Sequence, residues 1–514
     1  MAPGQLIDLT PPFRLWADRR IKGLRRAEAS LFQRRHLLSL VKRAASTRFG
    51  RQHRFDRIDS VEAYQKSVPL RDYNDFWETY WKNSFPIIID ATWPGRIPYF
   101  AVSSGTTTGR SKYIPVTRAM LRHQRRTGYH VLGAHVTAHP ESRSLSGKIF
   151  MLGGSTSLVE QAPGVKSGDL SGVITAQAPS ILRPLAFPPL DIALLDDWDE
   201  KLNRLVDAMA GQNITVLGGI PSWLLILIDR LEQRYDVSPL RNLELLVHGG
   251  VNWAPYEGRF RPFLEKTGAS TREVYPASEG FIAFADATPE DGLLLCFDDR
   301  IFFEFVPVEE LGTDAPTRHW LGNIEPGINY AIVVTTAAGL WSYVLGDTVS
   351  FVSVKPPRLL VTGRVTFTLS MFGEHVIETE LEQAVAAAAT EAGLEITDFM
   401  VGGHLPDEQG ELGRHVYLIE TARPADAGIV DALSSSIDET LGRLNDDYAA
   451  HRHGGTGLDR PQVELLPPGR FAEWMRRRGK LGGQHKVPRV VSDPENFEKT
   501  RTDLVGERSL VSAP

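Results

Sequence analysis

The sequence predicts an α/β protein: a large N-terminal domain with mostly parallel, helix-covered sheets and a β-barrel-like subdomain, followed by a small α+β C-terminal domain. Three observations support this prediction. Short apolar strands alternate with amphipathic helices from about residue 97 to 250, helical periodicity disappears between roughly 290 and 355, and a new helix and strand pattern begins after Arg364. With 514 residues and 42% hydrophobic content, the chain can bury the cores of two or more domains.

The first hundred residues predict mostly helix, because apolar residues such as Leu24, Leu31 and Leu38 recur near helical spacing. The apolar run Ile97 to Val102 then predicts a strand. A glycine- and threonine-rich loop follows it, and Thr117 is a candidate N-cap for the next helix.

Two helix and strand units follow one another between residues 200 and 250. An amphipathic helix over Leu202 to Met209 leads into the strand Ile214 to Leu217. The next strand, Leu243 to Val247, ends in the pair Gly249 and Gly250. Such units are typical of a parallel sheet covered by helices, whose ligands bind at the carboxyl ends of the strands.

The later chain predicts two further structural regions. The stretches DGLLLCFDDRIFFEFVPV, INYAIVVTT and WSYVLGDTVSFVSV predict strands joined by turns, hence a β subdomain beside the sheet. Two long helical patterns, at about residues 377 to 392 and 425 to 444, predict a compact α+β domain together with the strands around them. We place the large domain at residues 1–365 and the small domain at residues 366–514, and we expect the last twenty residues to be a polar tail.

Composition and charge exclude several classes of function. With 57 basic and 63 acidic residues the net charge is -6, so no global positive field draws the chain to nucleic acid or to an anionic membrane. The longest aliphatic run, Trp223 to Ile228, is far short of a membrane span, and the N-terminus lacks a secretory signal pattern. The single cysteine, Cys296, excludes an internal disulfide and fits a reducing compartment. We therefore expect a soluble, cytoplasmic protein without nucleic-acid or membrane partners; the sequence leaves its oligomeric state open.

The loop AVSSGTTTGRSKYIPVT, residues 101 to 117, combines glycines with hydroxyl side chains. Glycines let a backbone approach a ligand closely, and hydroxyl and backbone N–H groups can surround phosphate oxygens. The residue order does not match a P-loop, whose Gly-Lys-Ser or Gly-Lys-Thr opens a helix that points at the phosphates. From these residues alone, a phosphate cradle and a polar surface loop remain alternatives.

Further motifs follow this loop in a fixed order: YPASEG from Tyr275, YVLGDTV from Tyr343, and TGR ending at Arg364. The ordered set resembles the adenylate-forming superfamily. Within that superfamily it resembles the Gretchen Hagen family of acyl acid-amido synthetases, known best as the auxin-conjugating enzymes of plants. The blocks SVPLRDYNDF, HGGVNWAPY, FFEFVPVEE and GGQHKVPR extend the resemblance over most of the chain, from about residue 30 to 490. In YPASEG an alanine stands where plant members more often have a serine, which favours a bacterial branch and leaves the acyl substrate open.

The resemblance implies an enzyme that carries out two half-reactions. A carboxylic acid and ATP first give an acyl-adenylate and pyrophosphate, and an amine, usually that of an amino acid, then displaces AMP to form an amide. ATP and Mg²⁺ are the implied cofactors. Residues 1–365 would be the adenylation domain that binds ATP and the acyl acid, and residues 366–514 would be a mobile lid domain that completes the site.

The resemblance also implies roles for the motif residues. Glu279, which would hold Mg²⁺, and Lys486 in GGQHKVPR are the implied catalytic residues, and Asp347 would accept hydrogen bonds from the ribose hydroxyls. The other implied nucleotide-binding residues are Ser103, Ser104, Gly105, Thr106, Thr107, Thr108, Lys112, Gly249, Gly250, Tyr275, Ser278 and Arg364. A solvated loop lysine is the alternative for Lys112. Tyr275 would be a stacking surface for adenine, and plain core packing is the alternative for it. Residues that contact the acyl substrate are not identified.

Two other functions stay open at the level of sequence. A related ligase would keep the adenylation step but pass the acyl group to a thiol such as coenzyme A. A nucleotide-binding protein without catalysis, such as a sensor, would have no need of Glu279, Asp347 and Lys486 together. Trapping the product with a panel of amino acids and with coenzyme A would separate the two ligases.

Overall fold

The computed structural model describes most of the chain. The described residues are 7–103, 112–153, 158–178, 180–193, 195, 198–251, 253–365, 376–404, 413–424, 427–445, 448–449, 452, 458–478, 487–491 and 494–506. The chain divides into two units, the first formed by Met1–Trp253, Glu257–Leu345 and Val349–Val361 and the second by Ala254–Tyr256, Gly346–Thr348 and Thr362–Pro514.

Helices occur throughout the described chain. They are α1 (Thr10–Arg26), α2 (Ala29–Ala44), α3 (Arg48–Gln52), α4 (Val61–Ser67), α5 (Tyr73–Phe76), α6 (Arg118–Ala138), α7 (Leu170–Ala176), α8 (Leu190–Ala193), α9 (Trp198–Met209), α10 (Pro221–Tyr235), α11 (Ala254–Thr267), α12 (Glu378–Glu391), α13 (Val430–Leu444), α14 (Arg470–Arg477) and α15 (Pro494–Val505). As predicted, Thr117 caps α6, because its side chain accepts a hydrogen bond from the Met120 N–H at 3.3 Å. Among the described residues, no helix combines the length and the apolar composition that a membrane crossing requires.

The strands form three sheets. They are β1 (Tyr99–Ser103), β2 (Lys112–Val116), β3 (Lys148–Leu152), β4 (Val159–Ala162), β5 (Val165–Gly168), β6 (Ala186–Phe187), β7 (Ile214–Gly219), β8 (Leu245–Gly249), β9 (Ser270–Ala277), β10 (Gly280–Phe284), β11 (Leu293–Leu295), β12 (Ile301–Pro307), β13 (His319–Trp320), β14 (Asn329–Thr336), β15 (Tyr343–Val354), β16 (Pro357–Arg364), β17 (Ile396–His404), β18 (Arg414–Thr421), β19 (Gln462–Leu466) and β20 (Val490–Val491).

The largest sheet has the strand order β13-β12-β14-β15-β16-β11-β10-β9-β8-β7-β3-β6. Its strands from β6 to β9 are parallel, as the helix and strand units of the sequence predicted. The strands predicted as a β subdomain form the other end of the same sheet, where β9 with β10 and β12 with β14 pair antiparallel. The α/β class is therefore confirmed, with a sheet that changes from parallel to antiparallel at β9.

Amphipathic helices cover the parallel strands. The apolar face of α9 illustrates why, since Leu202, Leu205 and Met209 are each fully buried. Spacings of three and four residues place these side chains on one face of the helix. Each fully buried leucine contributes about 1.5–3 kcal/mol relative to an exposed one. Burial of this face against neighbouring elements, among them α8 and α10, therefore holds α9 in place.

A second, smaller sheet of the first unit has the order β2-β1-β5-β4. Strands β1 and β2 pair antiparallel, whereas β1 and β5 pair parallel with Ala101 opposite Gly168. Strands β1 and β5 therefore have their carboxyl ends at the same edge of this sheet. The hydroxyl-rich loop begins at that edge, directly after Ser103.

The second unit contains a sheet with the order β19-β18-β17-β20. Alternate residues of β17 and β18 belong to two different cores, as a period of two requires. Phe399 and Ile419 belong to the core that includes residues of α12 and α13. Met400 and Leu418 belong to the core that includes residues of α14 and α15. Helices on both faces of a four-stranded sheet confirm the predicted α+β domain.

The predicted polar tail is wrong, because residues from Pro494 to Val505 form α15. Phe497 is fully buried and Leu504 is 1% exposed. A Cβ atom on Gly402 would lie 2.2 Å from the Phe497 ring, so β17 accepts this ring only because a glycine stands there. The apolar residues of α15 are too few to predict a helix from sequence, and packing on the sheet decides its structure.

Candidate functional site

The hydroxyl-rich loop connects the two strands of an antiparallel hairpin. Strands β1 and β2 pair from Tyr99 opposite Val116 to Ser103 opposite Lys112. Five predicted phosphate-binding residues, Ser104, Gly105, Thr106, Thr107 and Thr108, lie outside the described residues. The structure places the two ends of the loop, Ser103 and Lys112, side by side at the end of the hairpin.

Lys112 contacts an aromatic ring at the end of this hairpin. Its Nζ atom lies 5.7 Å from the centre of the Tyr73 ring, and the side chain is half-buried. The Tyr73 hydroxyl in turn accepts a hydrogen bond from the Tyr113 N–H at 2.9 Å. A cation over a tyrosine ring contributes about 0.5–1 kcal/mol at exposed sites and more when desolvated. The Tyr73 ring therefore restrains the ammonium group of Lys112. A lysine surrounded by solvent would have no such neighbour.

Glu279 stands in a tight turn of the large sheet. Ser278 and Glu279 connect β9 and β10, where Ala277 pairs with Gly280. The Glu279 carboxylate lies close enough to the Tyr343 phenol to act on it, and Tyr343 is 1% exposed. Burial raises the pKa of the Tyr343 phenol well above its ordinary value, and the neighbouring Glu279 carboxylate raises it further. The phenol therefore keeps its proton and orients one side of the Glu279 carboxylate.

The backbone around Tyr343 is fixed by the segment that precedes α5. The Arg71 N–H donates to the Ser342 carbonyl at 3.0 Å, and the Val344 N–H donates to the Arg71 carbonyl at 2.9 Å. Residues of the stretches SVPLRDYNDF and WSYVLGDTVSFVSV thus bind each other. Tyr73 and Asp72 of the first block both influence the Tyr343 phenol.

A buried ion pair supports the same strand. Arg318 Nη2 lies 2.7 Å from Glu304 Oε1, and the Glu304 side chain has no exposed surface. The Ser342 hydroxyl donates to Glu304 Oε2 at 2.9 Å, and Ser342 adopts a left-handed φ of 45°. Non-glycine residues hold this conformation only where their surroundings over-determine it. The pair therefore helps to position Ser342, the residue directly before Tyr343.

The glycine pair after β8 is required by packing. A Cβ atom on Gly249 would lie 2.0 Å from the Val274 carbonyl oxygen of β9, and Gly250 has a φ of 84°. His248, before the pair, stacks on Trp253 with ring centres 3.8 Å apart. Burial lowers the pKa of His248 to about 3, so its imidazole is neutral at physiological pH. Gly249 brings the backbone of β8 close to β9 at the carboxyl end of a parallel strand, and Gly250 supplies the left-handed φ that follows it.

Tyr275, predicted as a stacking surface for adenine, lies in β9 directly after Val274. It is 8% exposed and belongs to the large hydrophobic core of the first unit. This burial is what core packing, the alternative role, requires. The stacking role stays a prediction.

Asp347 and Arg364 form an ion pair within the second unit. Arg364 Nε lies 2.9 Å from Asp347 Oδ1, and the Asp347 side chain is 17% exposed. The two residues belong to β15 and β16, which are neighbours in the large sheet. The Thr362 hydroxyl donates to the Thr348 hydroxyl at 2.9 Å beside them. The Arg364 guanidinium therefore orients the Asp347 carboxylate, for which the family resemblance implies a role in binding the ribose.

The described site residues thus form two groups, one in each unit. In the first unit Lys112 contacts Tyr73, and the Tyr343 phenol is influenced electrostatically by both Tyr73 and Glu279; in the second unit Asp347 pairs with Arg364. Lys486 lies outside the described residues. Sequence reasoning missed Tyr73 and Tyr343, although both stand in quoted motifs. The available signal was a tyrosine directly after Asp72 in RDY and a tyrosine four residues before Asp347 in YVLGD.

Glu279 could bind a magnesium ion only as one ligand among several. Within the described ranges, no group of three or more His, Cys, Asp or Glu side chains could enclose a metal. Mg²⁺ is commonly bound by one or two carboxylates, several waters and substrate phosphates, so one carboxylate is compatible with it.

Models of one protein family match three parts of the chain. The GH3 family N-terminal domain matches residues 24–237, the central domain residues 294–364, and the C-terminal domain residues 379–495. The chain belongs to the GH3 family. The resemblance to the Gretchen Hagen family that the motifs indicated is confirmed.

Curated relatives of this GH3 chain carry amido synthetase names. It is 30% identical over 236 residues to the indole-3-acetic acid-amido synthetase GH3.8 of Oryza sativa subsp. indica, covering 41% of this chain and 37% of the relative. It is 31% identical over 288 residues to the jasmonoyl-L-amino acid synthetase JAR4 of Nicotiana attenuata, covering 52% and 48%. The matches therefore span about half or less of the length of these relatives.

Solved structures match the GH3 chain over nearly its whole length. AtGH3.15 acyl acid amido synthetase in complex with 2,4-DB has a TM-score of 0.77 at 19% identity, covering 96% of each chain. A 2-hydroxyisobutyryl-CoA ligase in the postadenylation state with 2-HIB-AMP has a TM-score of 0.60 at 16% identity, covering 92% of this chain and 91% of the other. At these identities the likeness shows the fold, which this GH3 chain shares with both ligases.

Proposed function

We propose that this GH3 chain is an ATP-dependent ligase that adenylates a carboxylic acid and transfers the acyl group to an amine, that of an amino acid. The observation that carries the proposal is the Glu279 carboxylate, held in a tight turn and oriented by the buried Tyr343 phenol. Family membership and the names of the relatives support the same reaction.

The proposed reaction gives the carboxylic acid a good leaving group, AMP. A free carboxylate resists attack by an amine because it is negatively charged and has no good leaving group. In the first step a carboxylate oxygen attacks the α-phosphorus of ATP, the bond to the bridging oxygen breaks, and pyrophosphate leaves. In the second step the amine nitrogen attacks the acyl carbon, the bond to the AMP oxygen breaks, and amide, AMP and a proton are released.

The first step brings an anionic acid against a triphosphate, so positive charge and aligned donors lower its barrier. Lys112, beside Ser103 at the end of the hairpin, would supply one positive charge near the phosphates. A unit charge about 4 Å from a phosphate oxygen contributes about 4 kcal/mol at an effective dielectric constant near 20, before desolvation. The hydroxyl and backbone groups of the loop would supply the donors.

Glu279 would hold the magnesium ion that accompanies ATP, and the ion would neutralise phosphate charge when bound. The Tyr343 phenol stays protonated, so it can donate to one carboxylate oxygen while the other binds the ion. A carboxylate fixed in this way loses little conformational freedom when the nucleotide arrives.

Asp347 would bind the ribose hydroxyls, with Arg364 orienting its carboxylate. We expect Asp347→Asn to raise the KM for ATP about tenfold, because a hydrogen bond to a charged group contributes about 1.5 kcal/mol or more. Steady-state pyrophosphate release at varied ATP concentration measures this. Asp314→Asn, at an exposed position, is the matched control. An unchanged KM in Asp347→Asn would remove the ribose role.

A screen of carboxylic acids for ATP-dependent pyrophosphate release tests the proposed function. Mass spectrometry of reactions that contain the active acid with either an amino acid panel or coenzyme A then identifies the acceptor. An amide product is expected. A thioester product would instead show that a thiol accepts the acyl group. The fold likeness to the 2-hydroxyisobutyryl-CoA ligase would then explain that outcome. If no acid elicits pyrophosphate release, the protein binds nucleotide without this catalysis and the proposal fails.

A further inference from the structure

Asp169 lies at the edge of the sheet where the hydroxyl-rich loop begins. Strands β1 and β5 run parallel, with Ala101 opposite Gly168. Continuing this register by one residue places Asp169 beside Val102, one residue before Ser103. The carboxyl ends of parallel strands meet at one edge of a sheet, and ligands of α/β proteins bind at such edges. Asp169 therefore stands next to the start of the loop that is proposed to hold the phosphates.

The hydrogen-bonding capacity of the Asp169 side chain is not fully used within the described residues. It precedes α7 but makes no capping hydrogen bond to that helix. Its Oδ2 atom is buried and has no hydrogen-bond partner among the described residues. Leaving a buried acceptor unsatisfied costs about 1–3 kcal/mol, so such atoms in native proteins commonly have a functional reason. The unsatisfied oxygen indicates a ligand that supplies a donor.

A buried lysine lies close to this carboxylate. Lys201 on α9 is 3% exposed, and its Nζ donates to the Ala193 carbonyl at 3.0 Å and to the Gly153 carbonyl at 3.5 Å. Gly153 directly follows β3, and a Cβ atom on it would lie 3.0 Å from the Ser171 hydroxyl in the first turn of α7. The residue that follows β3 and the first turn of α7, which follows β5, thus approach each other closely at Gly153 and Ser171.

Burial raises the pKa of Asp169 to about 6, and the Lys201 charge opposes part of that shift. Among the described residues, Lys201 is the charged group whose field reaches Asp169, and α7 carries no charged residue. The carboxylate is therefore ionised at neutral pH and becomes protonated only slightly below it. Its affinity for a proton is higher than that of an ordinary aspartate.

The chemistry of the two half-reactions selects the ligand. An ionised carboxylate repels both the acid substrate and the phosphates, so neither fits Asp169. The acceptor amine is a cation at neutral pH, because the pKa of an α-amino group lies above 7. It must lose a proton before its nitrogen has a lone pair for attack. A carboxylate beside the start of the phosphate loop can do both tasks, binding the ammonium group and accepting its proton.

We propose that Asp169 binds the ammonium group of the acceptor amino acid and acts as the proton acceptor of the second half-reaction. One N–H proton passes to Asp169, and the freed lone pair of the nitrogen attacks the acyl carbon. The bond between that carbon and the AMP oxygen breaks, and AMP leaves with the electron pair. The second proton that the nitrogen gives up passes to solvent. The inference rests on the proposed function, and it adds the residue that recognises the amine.

Asp169→Asn separates the two half-reactions, since asparagine keeps the shape of the side chain and removes its charge. We expect acid-dependent exchange of pyrophosphate into ATP to stay within about twofold of wild type, and kcat/KM for the amine to fall about tenfold to a hundredfold. Asp56→Asn, at an exposed position, should leave both rates unchanged. Thermal unfolding of each variant verifies that the fold is intact.

The pH profile gives a readout that a structural role would not move. In the wild type, kcat/KM for the amine should rise through about pH 6 as Asp169 ionises, and then level off. In Asp169→Asn it should keep rising toward the pKa of the amine, because only the neutral amine can then react. An unchanged profile, an unchanged kcat/KM for the amine, or a raised KM for the acid in the exchange assay would each overturn the proposal. Absence of exchange in the wild type would instead defeat the proposed function itself.

Discussion

Glu279→Gln is expected to lower acid-dependent exchange of pyrophosphate into ATP by about 10²- to 10³-fold, the usual cost of removing one group that stabilises developing charge. Glutamine preserves the size of the side chain in the turn between β9 and β10. It removes the negative charge, which a hard cation such as Mg²⁺ prefers in a ligand. The loss should therefore appear in the adenylation step.

Two further measurements test whether the lower exchange rate comes from weaker magnesium binding and not from a disturbed fold. Raising the Mg²⁺ concentration should partly restore the exchange rate of Glu279→Gln, since a neutral oxygen still binds the ion weakly. Glu290→Gln, at an exposed position, is the matched control and should behave as wild type. An exchange rate of Glu279→Gln equal to that of wild type would exclude the metal role.

Tyr343→Phe separates the effect of the Glu279 charge from the effect of the carboxylate's orientation. This change keeps the Glu279 charge and removes the neighbouring phenol that is expected to donate to it. A hydrogen bond to a charged group contributes about 1.5–3 kcal/mol, so a loss of about tenfold to about a hundredfold is expected in the same exchange assay. A larger loss than that of Glu279→Gln would contradict a supporting role for Tyr343.

Lys486→Ala is expected to lower adenylation about a hundredfold or more, because the family resemblance places this cation at the reacting phosphates. One positive charge about 4 Å from a phosphate oxygen is worth about 4 kcal/mol at an effective dielectric constant near 20, before desolvation. Lys486 lies outside the described residues, so the expectation rests on the motif GGQHKVPR. Its loss should affect the first half-reaction.

Pyrophosphate exchange measures this step directly. Lys499→Ala on α15 removes a lysine from an exposed position and serves as the control. Lys486→Arg keeps the charge but changes its geometry, and an intermediate rate is expected. Wild-type exchange in Lys486→Ala would remove the role. An unchanged exchange rate together with reduced amide formation would transfer Lys486 to the second half-reaction.

The sequence predicted those features that depend on local patterns. The alternation of helix and strand up to β9 follows from hydrophobic periodicity, which is written in neighbouring residues. The Thr117 cap depends on a side chain and an N–H group three residues away. The order of the motifs identified the family, because each motif is a short run of residues that can be recognised without knowing the fold.

Long-range pairing decided the features that the sequence did not predict. Helix α15 exists because Phe497 packs against Gly402, a residue nearly a hundred positions earlier. The phenol that orients Glu279 comes from Tyr343, on a strand distant in sequence. Asp169 acquires a candidate role only because β5 pairs in parallel with β1. None of these contacts changes the local pattern of residues around either partner.

The sequence by itself therefore determined the α/β class, the family and the residue types available for nucleotide chemistry. The tertiary structure decided which of those residues meet: Lys112 with Tyr73, Tyr343 with Glu279, and Asp347 with Arg364. The physical reason is that periodicity and capping act over a few residues. Contact between side chains of separate motifs depends on strand register and core packing, which the whole chain settles together.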